Sequence, residues 1–151
     1  MHLTTYTDYT LRVLIALALS QEKLTTIADL ARAYGISEHH LMKVVHQLGR
    51  AGYVETVRGH GGGMRLKKKP ADIGLGEVVR QTEPDFALVE CFRGSGQCAI
   101  QPACKLSGVL CEALRAFLRV LDKYTLADLT HKPQALGALL EIQSDRGRPH
   151  P

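Results

Sequence analysis

The chain has 151 residues, enough for one domain or one small domain with an appendage. Apolar residues make up 45% of it and the formal net charge is +4, so a core of modest size can be packed. The longest apolar stretch, Val13 to Leu19, is too short to cross a bilayer, and Met1-His2-Leu3-Thr4-Thr5 shows no basic region followed by an apolar run. No membrane span and no secretory signal are therefore expected, and the expected location is cytoplasmic. No Ser/His/Asp set and no pair of acids is spaced for acid–base chemistry, so an enzyme is not expected.

The charge is unevenly placed. Residues 1–82 carry 11 of the 19 Lys/Arg and 7 of the 15 Asp/Glu, and the remainder carries 8 of each. Between His39 and Lys69 stand seven cations (Lys43, Arg50, Arg58, Arg65, Lys67, Lys68, Lys69) and one acid, Glu55. Such a concentration suits a polyanionic partner, the plainer alternative being a solvated basic surface.

In chain order, Leu11, Leu14, Ile15, Ala18 and Leu19 recur at helical spacing and predict a helix over Tyr9–Ser20, capped by Thr7 or Asp8. Thr25 or Thr26 opens a second helix, Ile27 to Tyr34, which Gly35 stops. Ser37 opens a third, Glu38 to Ala51, with Leu41, Val44, Val45 and Leu48 inward and Gly52 as its stop. Two helices joined by so short a glycine-bearing turn form a helix-turn-helix. The third helix presents Glu38, His39, His40, Lys43, His46 and Gln47 outward, where they can reach base edges or phosphates in a major groove.

Tyr53 to Val57 reads as a strand, Arg58-Gly59-His60-Gly61-Gly62-Gly63 as a turn and Met64 to Lys67 as a second strand. Behind a helix-turn-helix this hairpin is a wing, with Arg58, His60 and Arg65 suited to phosphate or a narrow minor groove. The glycines do not form a nucleotide-binding loop, since no Gly-Lys-Ser/Thr ending follows. Ile73 to Thr82 is a short helix. A long one is expected from about Pro102 to Tyr124, with Leu106, Leu110, Ala113, Phe117, Val120 and Tyr124 in a coiled-coil-like stripe that implies a homodimer. Thr125 caps a last turn, Leu126 to Leu129, and the polar, proline-ended tail reads as flexible.

Cys91, Cys98 and Cys104 lie in one glycine- and proline-bearing loop. Clustered thiolates select zinc, copper(I) or iron–sulfur centres. The wide Cys-x6-Cys-x5-Cys gaps lack the close pairs of structural zinc sites and suit a larger object such as an iron–sulfur cluster, with free or redox-active thiols as the alternative. A four-iron cluster would need a fourth ligand from Cys111, a histidine, a carboxylate or solvent. Cys111 would lie about 10 Å from Cys104 along a shared helix, so it reads instead as a buried core cysteine.

Taken together, the chain resembles the Rrf2-type winged-helix regulators, in particular their nitric-oxide-sensing branch. The resemblance spans about Met1 to Leu129. It rests on Thr7-Asp8-Tyr9, Ile36-Ser37-Glu38-His39-His40-Leu41-Met42-Lys43-Val44, and Gln47-Leu48-Gly49-Arg50-Ala51-Gly52-Tyr53-Val54. It continues through Val57-Arg58-Gly59-His60-Gly61-Gly62-Gly63, Ile73-Gly74-Leu75-Gly76-Glu77-Val78-Val79-Arg80, the three loop cysteines and Tyr124-Thr125-Leu126-Ala127-Asp128-Leu129. The resemblance implies a homodimeric repressor of operator DNA holding an iron–sulfur cluster, 4Fe-4S in preference to 2Fe-2S, on Cys91, Cys98 and Cys104. It implies release of double-stranded DNA when nitric oxide attacks that cluster, and a fourth ligand in Asp8 of the partner's first helix; a carboxylate placed there for the helix dipole is the alternative. The histidine that follows the third cysteine in the iron–sulfur-biogenesis branch is absent.

The expected fold is therefore mainly α with a small β-hairpin wing, a winged helix-turn-helix plus a long dimerisation helix. Its parts are a DNA-binding domain over 1–82, a cluster-binding loop over 83–104, a dimerisation helix with a short C-terminal helix over 105–130, and a tail over 131–151. The DNA-facing set is Ser37, Glu38, His39, His40, Lys43, Gln47, Arg58, His60 and Arg65. A sensor of iron or cluster supply on the same scaffold is the alternative function, and a small thiol-redox or electron-transfer protein a more distant one.

Overall fold

A computed structural model describes residues 2–20, 23–94, 98–100 and 103–140. Helix α1 (Thr5–Leu19) is apolar all round from Val13 onward, and Val13, Leu14, Ala16, Leu17 and Ala18 are buried. A helix of that kind belongs at the centre of a core. Against it pack α3 (Glu38–Arg50), the wing and α4 (Leu75–Thr82), while α2 (Ile27–Tyr34) packs on α3. The core so formed unites Val13, Leu14 and Leu17 with Leu30, Leu41, Val44, Leu48, Tyr53, Val78 and Leu126. Each such side chain contributes about 1.5–3 kcal/mol on leaving water.

Local signals set most element ends. Thr26 and Asp29 cap α2 reciprocally: the Thr26 oxygen accepts the Asp29 amide and the Asp29 carboxylate accepts the Thr26 amide. Gly35 then closes α2 in the left-handed region at φ 64°. Three residues later α3 begins, so the helix-turn-helix spacing read from the sequence is present. Strands β1 (Val54–Val57) and β2 (Gly63–Leu66) pair antiparallel, Val54 opposite Leu66 and Val57 opposite Gly63. The wing is rooted in the body by a bridge that the sequence did not announce. Thr25, just ahead of α2, exchanges both backbone hydrogen bonds with Met64, at 3.0 and 2.8 Å. Gly63 permits this approach, since a Cβ there would stand 2.9 Å from the Thr25 carbonyl oxygen.

Three helices differ from expectation by two or more residues at an end. The first helix begins at Thr5 rather than Tyr9, because Thr4 supplies the cap, its side-chain oxygen accepting the Thr7 amide at 3.2 Å. Asp8 thus lies in the first turn of α1 and does not cap it. Helix α4 begins at Leu75 rather than Ile73, because the backbone of Ile73 to Leu75 pairs elsewhere: Leu126 donates to Ile73 O at 2.8 Å and Leu75 to Tyr124 O at 3.0 Å. Helix α5 runs only from Leu106 to Leu121 and has no side-chain cap at its start. Cys104 is therefore outside the helix.

Thr125 and Asp128 form a second capping box at α6 (Leu126–Leu129). Within the segment read as a flexible tail stands a further helix, α7 (Pro133–Leu139), which packs against α1. Residues 141–151 lie outside the described residues.

Two outcomes are expected. Leu126→Ala, which empties a fully buried site, costs about 2–5 kcal/mol in urea unfolding. The Asp29 carboxyl is held below its ordinary range, first by its hydrogen bond from the Thr26 side chain and then by that from the Thr26 backbone. Its contribution to stability is therefore present above about pH 4, the unfolded value, and is lost as pH falls through the lower folded value. Unfolding followed from pH 6 to pH 2 shows a smaller acid loss in Asp29→Asn.

Candidate functional site

The α3 helix divides cleanly. Leu41, Val44, Val45 and Leu48 are buried, while Glu38, His39, His40, Lys43, His46, Gln47 and Arg50 are exposed. Buried residues at that spacing lock the helix axis and leave the opposite face standing off the body. Among the described residues, Lys43 and Arg50 have no acidic partner within ion-pair distance. Their charge is available to an external anion.

The members of the expected DNA-facing set are not equivalent. Ser37 caps α3, its hydroxyl accepting the His40 amide at 3.4 Å and meeting His40 Nδ1 at 3.0 Å. That hydroxyl is occupied in holding the helix start. His40 leans toward the body, its ring 6.3 Å from that of Tyr9. Glu38 sits in the first turn, where the helix dipole favours an acid; facing DNA it can only accept, as from a cytosine amino group. His39, Lys43 and Gln47 remain the outward members.

In the wing, Arg58 and His60 are exposed beside two residues in the left-handed region, Gly59 at φ 104° and Gly61 at φ 74°. At Gly62 a Cβ would collide with the Val57 carbonyl oxygen, so the turn cannot carry a side chain there. Arg65 is committed across the strands to Glu55. Lys68 lies over the Tyr53 ring, 4.6 Å from its centre. Lys67 and Lys69, which the expected set omits, are exposed alongside it. The run Lys67-Lys68-Lys69 was the available signal for them.

The three loop cysteines are free thiols. Cys91 is half-buried in a 3-10 turn, Glu90–Arg93, closed by Gly94 at φ 71°. Cys98 is exposed, and Cys104 is half-buried just ahead of α5. As donors they suit a soft, thiophilic centre. Among the described residues they do not converge with one another, or with any His, Asp or Glu, into a ready-made set of three. Residues 95–97 and 101–102, between them, lie outside the described residues. Cys111, expected in the core, is half-buried on α5 instead, because that helix buries none of its residues in this chain. Asp8 is accessible, but Arg12 holds both its oxygens, at 3.1 and 2.8 Å.

One tie links the two halves of this arrangement. Glu83, where the cysteine-bearing segment leaves α4, accepts from the Thr4 amide at 2.8 Å and the Thr4 hydroxyl at 3.1 Å. The start of α1 and the root of the loop are thereby held together.

Comparison with known proteins agrees with this geometry. Residues 3–132 match the family model described as Rrf2, iron-dependent transcriptional regulator. The chain belongs to the Rrf2 family. It is 55% identical over 143 residues to the HTH-type transcriptional regulator NsrR of Geobacillus kaustophilus, covering 93% of this chain and 97% of that one. It is 54% identical over 145 residues to the NsrR of Bacillus subtilis, covering 95% and 99%. Among solved structures, CymR, the global cysteine regulator of Bacillus subtilis, superposes with a TM-score of 0.71 at 29% identity, covering 87% of this chain and 97% of that one. This Rrf2 protein is thus a transcriptional regulator of NsrR type with a winged helix-turn-helix. Among the described residues no helix is long and apolar enough to cross a membrane.

For the face formed by α3 and the wing, Lys43→Ala or Arg58→Ala lowers the slope of log affinity against log salt by about 0.9 each. Fluorescence anisotropy of labelled duplex DNA across a salt series measures this.

Proposed function

We propose that the protein is a homodimeric repressor that grips operator DNA with α3 and the wing and is released by nitric oxide. The observation that carries this reading is the union, on one chain, of a basic winged helix with a loop of three free thiols, in a sequence more than half identical to proteins named NsrR. In this reading Cys91, Cys98 and Cys104 hold an iron–sulfur cluster, of the 4Fe-4S type, and Asp8 of the opposite subunit completes it. When bound, that group supplies iron reactive toward nitric oxide. The chain's own contribution is to bring three soft donors onto one loop and to root that loop, through Glu83 and Thr4, at the start of the helix bearing Asp8. For Asp8 to serve as a ligand its fork to Arg12 opens.

The dimer in this reading is built on α5. No residue of that helix is buried, and Leu106, Val109 and Val120 are 59%, 61% and 51% exposed. Two copies joined along it present two recognition helices to a palindromic operator. The basic winged helix gives the α5 dimer, the cysteine loop and the operator face one site of action, the DNA of the cytoplasm. No enzymatic activity is proposed. The domain limits follow: the winged helix over 1–82, the loop over 83–104, and α5 with α6 over 105–130.

A second reading is favoured by one specific observation, the iron-dependent description of the matching family. In it the same loop reports iron or cluster supply. The signal that frees the DNA separates the two: low doses of nitric oxide in the first, iron chelation in the second.

The expected result is that anaerobically purified protein absorbs in the visible, contains iron and sulfide, and releases its promoter on addition of nitric oxide. Serine in place of Cys91, Cys98 and Cys104 removes colour, iron and response together. Asp8→Ala retains the iron but weakens operator binding. Zinc without sulfide, or promoter binding indifferent to the three serines, contradicts the proposal.

A further inference from the structure

Helix α4 is only eight residues long, yet it bonds to the residue ahead of the wing, to α1 and to the end of α5. Toward the wing, the buried Tyr53 donates its hydroxyl to Glu77 Oε1 at 2.9 Å, and Gln81 donates to the same oxygen at 3.2 Å. Toward α1, Thr7 donates to the Thr82 hydroxyl at 2.9 Å, which donates in turn to Val78 O at 2.9 Å. Toward α5, Arg80 forks onto Asp122, Nη1 to Oδ1 at 2.6 Å and Nη2 to Oδ2 at 2.7 Å. Gly76 lies directly beneath that fork, where a Cβ would overlap the Asp122 carboxylate and crowd the Arg80 guanidinium.

The C-terminal end of α5 is tied here a second time, through the backbone bridge of Gly74 with Thr125. The N-terminal half of α5, next to Cys104, has no buried residue and no side-chain cap. The helix is therefore tied to the DNA-binding body at its C-terminal end, while Leu110 and Ala113 of its N-terminal half only line an open cavity shared with Leu3 and Phe86.

We infer that the Arg80–Asp122 fork over Gly76 is the positioning contact that sets the angle of α5 against the winged helix, and through it the separation of the two recognition helices. This rests on the proposed α5 dimer and palindromic operator. Surface ion pairs add little to stability, because solvent screens them and ordering two long side chains has an entropic cost. A planar bidentate fork instead fixes direction, which a lysine cannot reproduce. Arg80 and Asp122 do not lie in the DNA-facing surface or the cysteine loop. Their effect is on geometry, read out where two half-sites must be met at once.

The test uses the full-length, anaerobically prepared protein and a palindromic duplex selected by the wild type. The same half-site alone and versions with the spacing changed by one base pair complete the set. Gly76→Ala displaces the fork while keeping both charges and a good helix former. Arg80→Lys keeps the charge without the fork, and Asp122→Asn removes one partner. All three should bind the isolated half-site within about twofold of wild type. They should lose about tenfold or more on the palindrome and discriminate less between spacings, with an unchanged thermal midpoint for Gly76→Ala. Equal losses on half-site and palindrome would show a merely structural role and overturn the inference, as would full retention on both. A wild type with no preference for the palindrome over one half-site would overturn the dimeric reading itself, and this inference with it. Loss confined to the variants cannot be mistaken for that.

Discussion

A sixteen-residue helix with an apolar stripe, none of whose side chains is buried, is the constraint on which the remaining structure turns. Leu106, Val109 and Val120 face water along α5, and Tyr124 does so just past its end. Exposed apolar surface of that extent marks an interaction site, because keeping it hydrated forfeits about 25 cal/mol for each Å². The winged-helix body is better closed: α1 is buried along most of its length, and α3, the wing and α4 complete a continuous core around it. Helix α5 is what the body offers to a second copy in the proposed dimer.

Placed this way, the two chemistries of the chain acquire a connection. The cysteine loop leaves α4 at Glu83, which is tied to Thr4 at the start of α1, and re-enters at the head of α5, the helix of the proposed dimer. A centre held by Cys91, Cys98 and Cys104 would draw together thiols that, among the described residues, form no ready-made set. Operator affinity could then follow the state of the loop without any thiol touching DNA. The signal would act on the arrangement of two rigid bodies, a change of population between arrangements rather than a rebuilding of the recognition surface.

Much of this was legible in the sequence because local signals wrote it. Thr26, Gly35, Ser37 and Thr125 are caps and stops whose side chains or backbone freedom act within a few residues. Leu41, Val44, Val45 and Leu48 are all buried as their spacing requires. What was not legible is long-range. Thr25 meets Met64 across the root of the wing, Glu83 reaches back to Thr4, and Arg80 crosses to Asp122. No periodicity announces such pairs. The start of α4 was misplaced because Ile73 and Gly74 spend their backbone groups on Leu126 and Thr125. The core reading of Cys111 rests on its distance from Cys104 along a shared helix; Cys104 lies outside α5, and Cys111 is half-buried on a helix with no fully buried residue. For the proposed cluster the sequence offers candidate donors, but in that proposal their convergence depends on a centre and a partner that the sequence does not contain.

The account depends most directly on what covers α5. Sedimentation equilibrium of the full-length protein at micromolar concentration, compared with Val109→Glu/Val120→Glu, measures it. The account predicts twice the chain mass of 16.6 kDa for the wild type and the single chain mass for the double variant, with its far-ultraviolet dichroism preserved. A wild type that sediments as a monomer while binding its full operator would contradict it.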